Sequence, residues 1–183
     1  MLKKYCIDCG GEHNNNKMAI DGVIFNPTHQ QREKIAISKN RKLSGDEVWF
    51  GNNVKISPEP FVSHADLFDH SPDTIKKTEY PELYKSEYWA PDEFSINFTV
   101  ENGEYDVIVH LAEYFYATTE SRVFTINVNN ESVFKDFDIY NSVGFGVATK
   151  RKIKVKVTDN LITVDATSSV ENPKISGIEI HPV

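Results

Sequence analysis

Three aromatics in a row, Tyr114, Phe115 and Tyr116, run out into the small polar stretch Ala117, Thr118, Thr119, Glu120 and Ser121. Aromatics at a strand-to-loop edge make a flat apolar platform with polar handles. A strand that only built a core would not need three of them where it ends, so at least one is expected to face solvent or a ligand. Ahead of them, Tyr105, Val107, Val109 and Leu111 fall on one strand face, and Asp106 and His110 on the other. Continued alternation gives Phe115 the core parity, which leaves it as either a core or a platform residue. Tyr116 takes the opposite parity, and Tyr114 shares the face of His110, which makes both candidate platform residues.

Other constellations carry less. Asp136 and Asp138, two apart, would share a strand face, and paired carboxylates are the equipment of glycosidases. His64, Asp66, Asp69, His70 and Asp73 offer oxygen donors of the kind Ca²⁺ takes, although such a run also reads as solvated surface. Cys6 and Cys9 form a CxxC with no second pair, which excludes a four-cysteine zinc site within one chain. The Gly10-Gly11 that follows opposes the helix a redox CxxC opens, so the two read as structural thiols. No Ser-His-Asp order and no phosphate loop is present. No cofactor or metal is expected.

The 183 residues suit one all-β domain, and a chain this long buries roughly 70% of its unfolded surface without disulfide or metal. With 20 Lys+Arg against 27 Asp+Glu the net charge is −7, which argues against a duplex nucleic-acid partner. No apolar run is long enough for a membrane span. Met1 to Cys6 lacks the apolar segment of a signal peptide. The compartment stays open: intracellular for a complete chain, secretory for a domain cut from a longer one. The two sequons, at Asn97 and Asn130, matter only in the second case.

These residues must be positioned by strands. Residues 5–9, 20–25 and 48–51 read as short strands or buried pieces, and 64–72 as a surface loop. Thr28 as N-cap and good helix formers predict one short helix near residues 28–40. Phe94, Ile96, Phe98 and Val100 alternate with polar residues, and residues 101–104 read as a tight hairpin turn. Further strands are expected over 122–128, 133–139, 152–157, 161–166 and 174–180, with 140–146 as a glycine-containing loop. At least seven short strands without long helices predict an all-β fold, an antiparallel β-sandwich of jelly-roll type.

The residues also carry a family resemblance. Ile7-Asp8-Cys9-Gly10-Gly11 resembles the opening "I-N-x-G-G" of malectin and malectin-like domains, and Leu83-Tyr84-Lys85-Ser86-Glu87 their "L-Y-x-T-E". The stretch from Tyr105 to Phe115 resembles "Y-x-V-x-L-x-F-A-E-x-Y-F". Arg122-Val123-Phe124 with Phe137-Asp138-Ile139, and Asn172-Pro173-Lys174-Ile175-Ser176 near the end, match further motifs in the family's order. The resemblance covers nearly the whole chain, so residues 1–183 are expected to form a single malectin-like domain. It implies a β-sandwich lectin that binds glucose disaccharides and holds sugar with loop aromatics and one carboxylate. Residue by residue, it places Trp89 where the family has Tyr, Phe115 and Tyr116 where it has Tyr-Phe, and Glu171 where it has Asp. Phe68 lies in the loop that carries a further family tyrosine. Glu113 matches a residue expected to be a buried, hydrogen-bonded carboxylate.

The physics fits a sugar. A pyranose has a C–H face that an aromatic plane covers, and hydroxyls that a carboxylate accepts through charge-assisted bonds. The sequence therefore reads as a non-catalytic carbohydrate-binding module for a short, glucose-containing oligosaccharide or glycoprotein glycan. The alternative is a protein-interaction module of the same fold that has lost the sugar site, since no sugar-site position is identical to the family's.

Overall fold

The computed structural model describes residues 5–9, 18–20, 23–27, 41–42, 48–49, 54–58, 61–65 and 72–183. The expected helix near 28–40, Phe68, and the Asp66, Asp69 and His70 of the acidic loop lie outside the described residues. Strands are numbered along the chain. One sheet orders β13 (Ala148–Val157), β10 (Gly103–Ala112), β16 (Gly177–Pro182), β1 (Tyr5–Asp8), β3 (Val23–Pro27) and β2 (Met18–Ile20). A second orders β12 (Glu131–Phe137), β11 (Val123–Val128), β14 (Leu161–Val170), β9 (Glu93–Thr99), β6 (Val54–Ser57) and β5 (Val48–Trp49). A small third sheet orders β15 (Lys174–Ile175), β8 (Ser86–Trp89), β7 (Phe61–His64) and β4 (Arg41–Lys42). The pairings are antiparallel except for β1 with β3 and an isolated bridge from Lys76 to Val147.

Alternation builds the sandwich. Tyr105, Val107, Val109 and Leu111 of β10 with Ile178 and Ile180 of β16 form one inner face. Phe94, Ile96 and Phe98 of β9, Phe124, Ile126 and Val128 of β11, and Ile162, Val164 and Ala166 of β14 form the other. Each fully buried aromatic or branched side chain contributes about 1.5–3 kcal/mol. The all-β antiparallel sandwich is what this patterning predicts.

Two local expectations are corrected. Residues 101–104 do not close a hairpin, because β9 and β10 lie in different sheets. The turn carries the chain across the sandwich, and Tyr105 pins it by donating its hydroxyl to the Glu101 carbonyl at 2.8 Å. The expected loop over 140–146 begins as a short helix, α1 (Ile139–Val143). Asp138 caps it by accepting from the Asn141 amide at 2.9 Å, and Gly144 at φ 94° ends it. Asp138 thus leaves the strand, while Asp136 sits at φ 43° where the β11–β12 register slips. The two carboxylates therefore do not stand as a pair on one strand face.

Gly146 joins this frame to the end of β10. Its N–H donates to the Glu113 carbonyl and its own carbonyl accepts from Lys76, each at 2.7 Å. It holds φ +64°, and a Cβ there would lie 2.8 Å from Pro72 Cβ and Cγ. Gly146→Ala should therefore destabilise the domain by about 2 kcal/mol, read as a lower urea midpoint.

Candidate functional site

β10 stops at Ala112, so the alternation that set the parity of the aromatics stops there too. The chain turns at Glu113, whose side chain is 1% exposed. One carboxylate oxygen, Oε1, accepts the backbone N–H groups of Phe115 at 2.9 Å and Tyr116 at 3.2 Å, and Lys174 Nζ at 3.3 Å. The other, Oε2, pairs with Arg122 Nε at 2.9 Å. Burial alone would raise the Glu113 pKa, but the Lys174 and Arg122 charges and the two amide donors outweigh it and hold the carboxyl below its ordinary value. Lys174 is itself fully buried and meets Glu87 Oε2 at 2.5 Å. The expected buried carboxylate is thus one member of a network of two acids and two bases.

Tyr114 does not serve as a platform. It is completely buried, donates its hydroxyl to the Ser63 carbonyl at 3.2 Å, and covers Lys174 Nζ, 4.3 Å from its ring centroid. The strand end turned it inward and gave it the network to seal. Phe115 and Tyr116 are half-buried and meet edge to face at 4.7 Å. The Arg122 guanidinium lies 5.1 Å from the centroid of the Tyr116 ring and donates to the Asn172 carbonyl at 2.8 Å. Burial first, and then the nearby Glu171 charge, raise the Tyr116 hydroxyl pKa. Glu171 is exposed at φ 57°, and its Oε1 accepts the Asn172 side-chain amide at 2.8 Å. The structure therefore brings Phe115, Tyr116 and Glu171 together.

Trp89 lies on the third sheet. Residues directly opposite across an antiparallel pair share a face. The register places Lys174 and Phe61 on either side of Trp89, and Ser63 opposite Glu87, so all five share a face. Tyr88 and Ile175, of opposite parity, enter the main core. Trp89 is half-buried, stacked on Phe61 with centroids 4.4 Å apart and planes 14° from parallel, and its Nε1 donates to Ser63 Oγ at 2.8 Å. Trp89 connects to the Phe115–Tyr116 turn through Lys174, which bonds Glu113. Sequence reasoning missed Phe61, Ser63, Arg122 and Lys174 as site-builders. Their signal is the cross-strand register, which a local reading does not contain.

A second polar cluster lies on the outward face of the first sheet. Tyr84 Oη and His110 Nδ1 are 2.7 Å apart, His110 Nε2 and Glu179 Oε1 2.8 Å, and Glu179 Oε2 and His181 Nε2 2.6 Å. Burial lowers the His110 pKa despite Glu179, and raises that of Tyr84. Burial would also raise the Glu179 pKa, but hydrogen bonds and charge from the two imidazoles bring it down to about 2. An ionised Glu179 accepts from His110 Nε2–H, which leaves Nδ1 to accept the Tyr84 hydroxyl. Among the described residues no group of three or more His, Cys, Asp or Glu is arranged to hold a metal. Cys9 is fully buried in the main core.

Known proteins resemble this chain along most of its length. The malectin domain profile matches residues 3–178. Malectin-B of Xenopus laevis is 32% identical over 95 residues, which cover 51% of this chain and 34% of that protein. Malectin of Homo sapiens is 27% identical over 94 residues, 51% of this chain and 32% of that one. The matched stretch thus spans about a third of the length of these relatives. Among solved structures, the ANX2 ectodomain of Arabidopsis thaliana superposes with a TM-score of 0.66 at 17% identity, covering 99% of this chain and 50% of that one. A β-glucuronidase of Bacteroides uniformis superposes at 0.63 with 13% identity, covering 99% of this chain and 18% of that one. At these identities the superpositions show a shared fold.

Two outcomes follow from the buried charges. Glu113→Ala leaves the buried Arg122 without its carboxylate and Lys174 with Glu87 alone, and should cost about 3–5 kcal/mol in urea unfolding. For the outer cluster, Glu179 falls from an ordinary 4.5 to about 2, and His110 falls below its ordinary 6.5. Both folded pKa values are depressed, so the unfolded chain binds more protons in acid. The Glu179 contribution is fully present above pH 4.5 and is lost as pH falls towards 2, while the His110 loss begins below 6.5. The urea midpoint should drop from pH 7 to pH 3, and Glu179→Gln should be weaker at pH 7 with a shallower acid loss.

Proposed function

The chain belongs to the malectin family, a carbohydrate-binding family, and from that premise we propose that it is a non-catalytic module recognising a short, glucose-containing oligosaccharide or glycan. The observation that carries the proposal is the pairing of a half-buried Tyr116 ring, propped by Arg122, with the exposed carboxylate of Glu171. The first offers carbon surface to the C–H face of a pyranose. The second accepts hydroxyl hydrogen bonds, and as a charged acceptor it supplies the stronger ones. Phe115 stands beside the Tyr116 ring, Trp89 offers a further aromatic plane on the third sheet, and Phe68 remains a candidate on sequence grounds.

The site is preorganised, which favours binding. Two amide hydrogen bonds to a buried carboxylate fix the turn that displays Phe115 and Tyr116, so little ordering cost falls on ligand capture. Glu113 is sealed and doubly paired, so its part is to hold the turn rather than to meet the ligand.

The test is a titration of the folded domain with maltose, nigerose and cellobiose. One disaccharide should give saturable, linkage-selective binding, weakened about tenfold or more by Trp89→Ala, by Tyr116→Ala and by Glu171→Ala, with unfolding midpoints near wild type. A flat response to all three would overturn the lectin reading and favour a protein-binding module.

A further inference from the structure

Indoles in a binding site have two things to offer, a carbon face and an N–H donor. In this protein the donor is already used: Trp89 Nε1–H is given to Ser63 Oγ at 2.8 Å. One ring face is used too, against Phe61 at 4.4 Å and 14°. Both partners come from β7, directly opposite or two positions along from Trp89 on β8, so the fold itself dictates the arrangement. Ser63 is 3% exposed and its carbonyl receives the Tyr114 hydroxyl, which ties the anchor to the wall of the buried charge network. Lys174, the opposite neighbour, commits its ammonium to Glu87 and Glu113.

We infer that Phe61 and Ser63 are positioning residues of the proposed sugar site, holding Trp89 so that it presents only carbon surface and no hydrogen-bond donor to the ligand. The inference rests on the lectin reading and deepens it. Trp89 recognises the C–H face of a sugar ring and is indifferent to which hydroxyls flank it. Selection among hydroxyl patterns falls to the Glu171 end. Neither residue touches the sugar in this account, and both act through the indole. A side chain left to rotate would lose about 0.5–1.5 kcal/mol of ordering entropy on binding, which is roughly three- to tenfold in affinity.

The experiment uses the full chain in a Trp49→Phe background, so that Trp89 is the only indole of the two present in the sequence. Without sugar, acrylamide quenching of Trp89 should rise and its anisotropy fall in Phe61→Ala and in Ser63→Ala, and Phe61→Tyr should restore both. With whichever of maltose, nigerose and cellobiose the wild type binds, each loosened variant should bind about three- to tenfold more weakly, and Trp89→Phe should stay within about threefold of wild type because no donor is lost. Unchanged quenching and unchanged affinity in both variants would overturn the inference, as would Trp89→Phe binding as poorly as Trp89→Ala. If Phe61→Ala does not fold, Ser63→Ala carries the same readouts. Failure of the lectin reading itself shows separately, as a wild-type protein that binds no sugar, and the quenching arm then still decides whether the pair locks the indole.

Discussion

Glu113 accepts from two backbone amides and two cationic side chains while sealed from water. Its partners come from separate parts of the fold. Arg122 leads into the second sheet, Lys174 belongs to a two-residue strand of the third, and Glu87 lies beside it on β8. A single carboxylate thereby ties the end of β10 to both neighbouring sheets. Ions this deep are costly to desolvate, and only a complete set of partners offsets the cost. The arrangement is all-or-none, which is how a loop end acquires one conformation.

What the network displays follows from what it fixes. The same oxygen that neutralises Lys174 holds the Phe115 and Tyr116 amides, so the charge network and the aromatic turn cannot move independently. Arg122 works twice, as a partner of Glu113 and as the cation beside the Tyr116 ring. Lys174 works twice as well, as the cross-strand neighbour of Trp89 and as the cation under Tyr114. The aromatic turn and the structural core share residues here, so fixing the turn needs no additional elements. The Tyr84–His110–Glu179–His181 chain does comparable work on the opposite side of β10, joining β10, β16 and the 3-10 turn at Pro81–Tyr84.

The sandwich was legible because inside/outside alternation is local: β9, β10, β11 and β13 each announce a buried face in their own residues. The turn after β9 was misread because residues 101–104 have hairpin chemistry, while sheet membership is decided by β14, some sixty positions along the chain. Tyr114 was misplaced because parity holds only while a strand lasts, and β10 ends two residues earlier. The helix α1 escaped notice because five residues carry no periodicity and its signal is one capping aspartate. The burial of Lys174 was illegible for a different reason. An isolated lysine after a proline reads as surface, and only Glu87 and Glu113, from other elements, make its burial possible. Phe115, Tyr116 and Glu171 were picked out by chemical type and family resemblance, and they do lie together.

The central claim is that the aromatic turn held by Glu113 is the face that meets a sugar. The measurement that tests it most directly is a map of backbone amide and indole NMR shifts in the wild-type protein as a glucose disaccharide is added. The account predicts saturable shifts concentrated at Phe115, Tyr116, Ala117, Glu171 and Asn172, together with the Trp89 indole. Saturable shifts centred on another surface, such as the lysine-bearing outer face of β13, with this cluster unmoved, would contradict it.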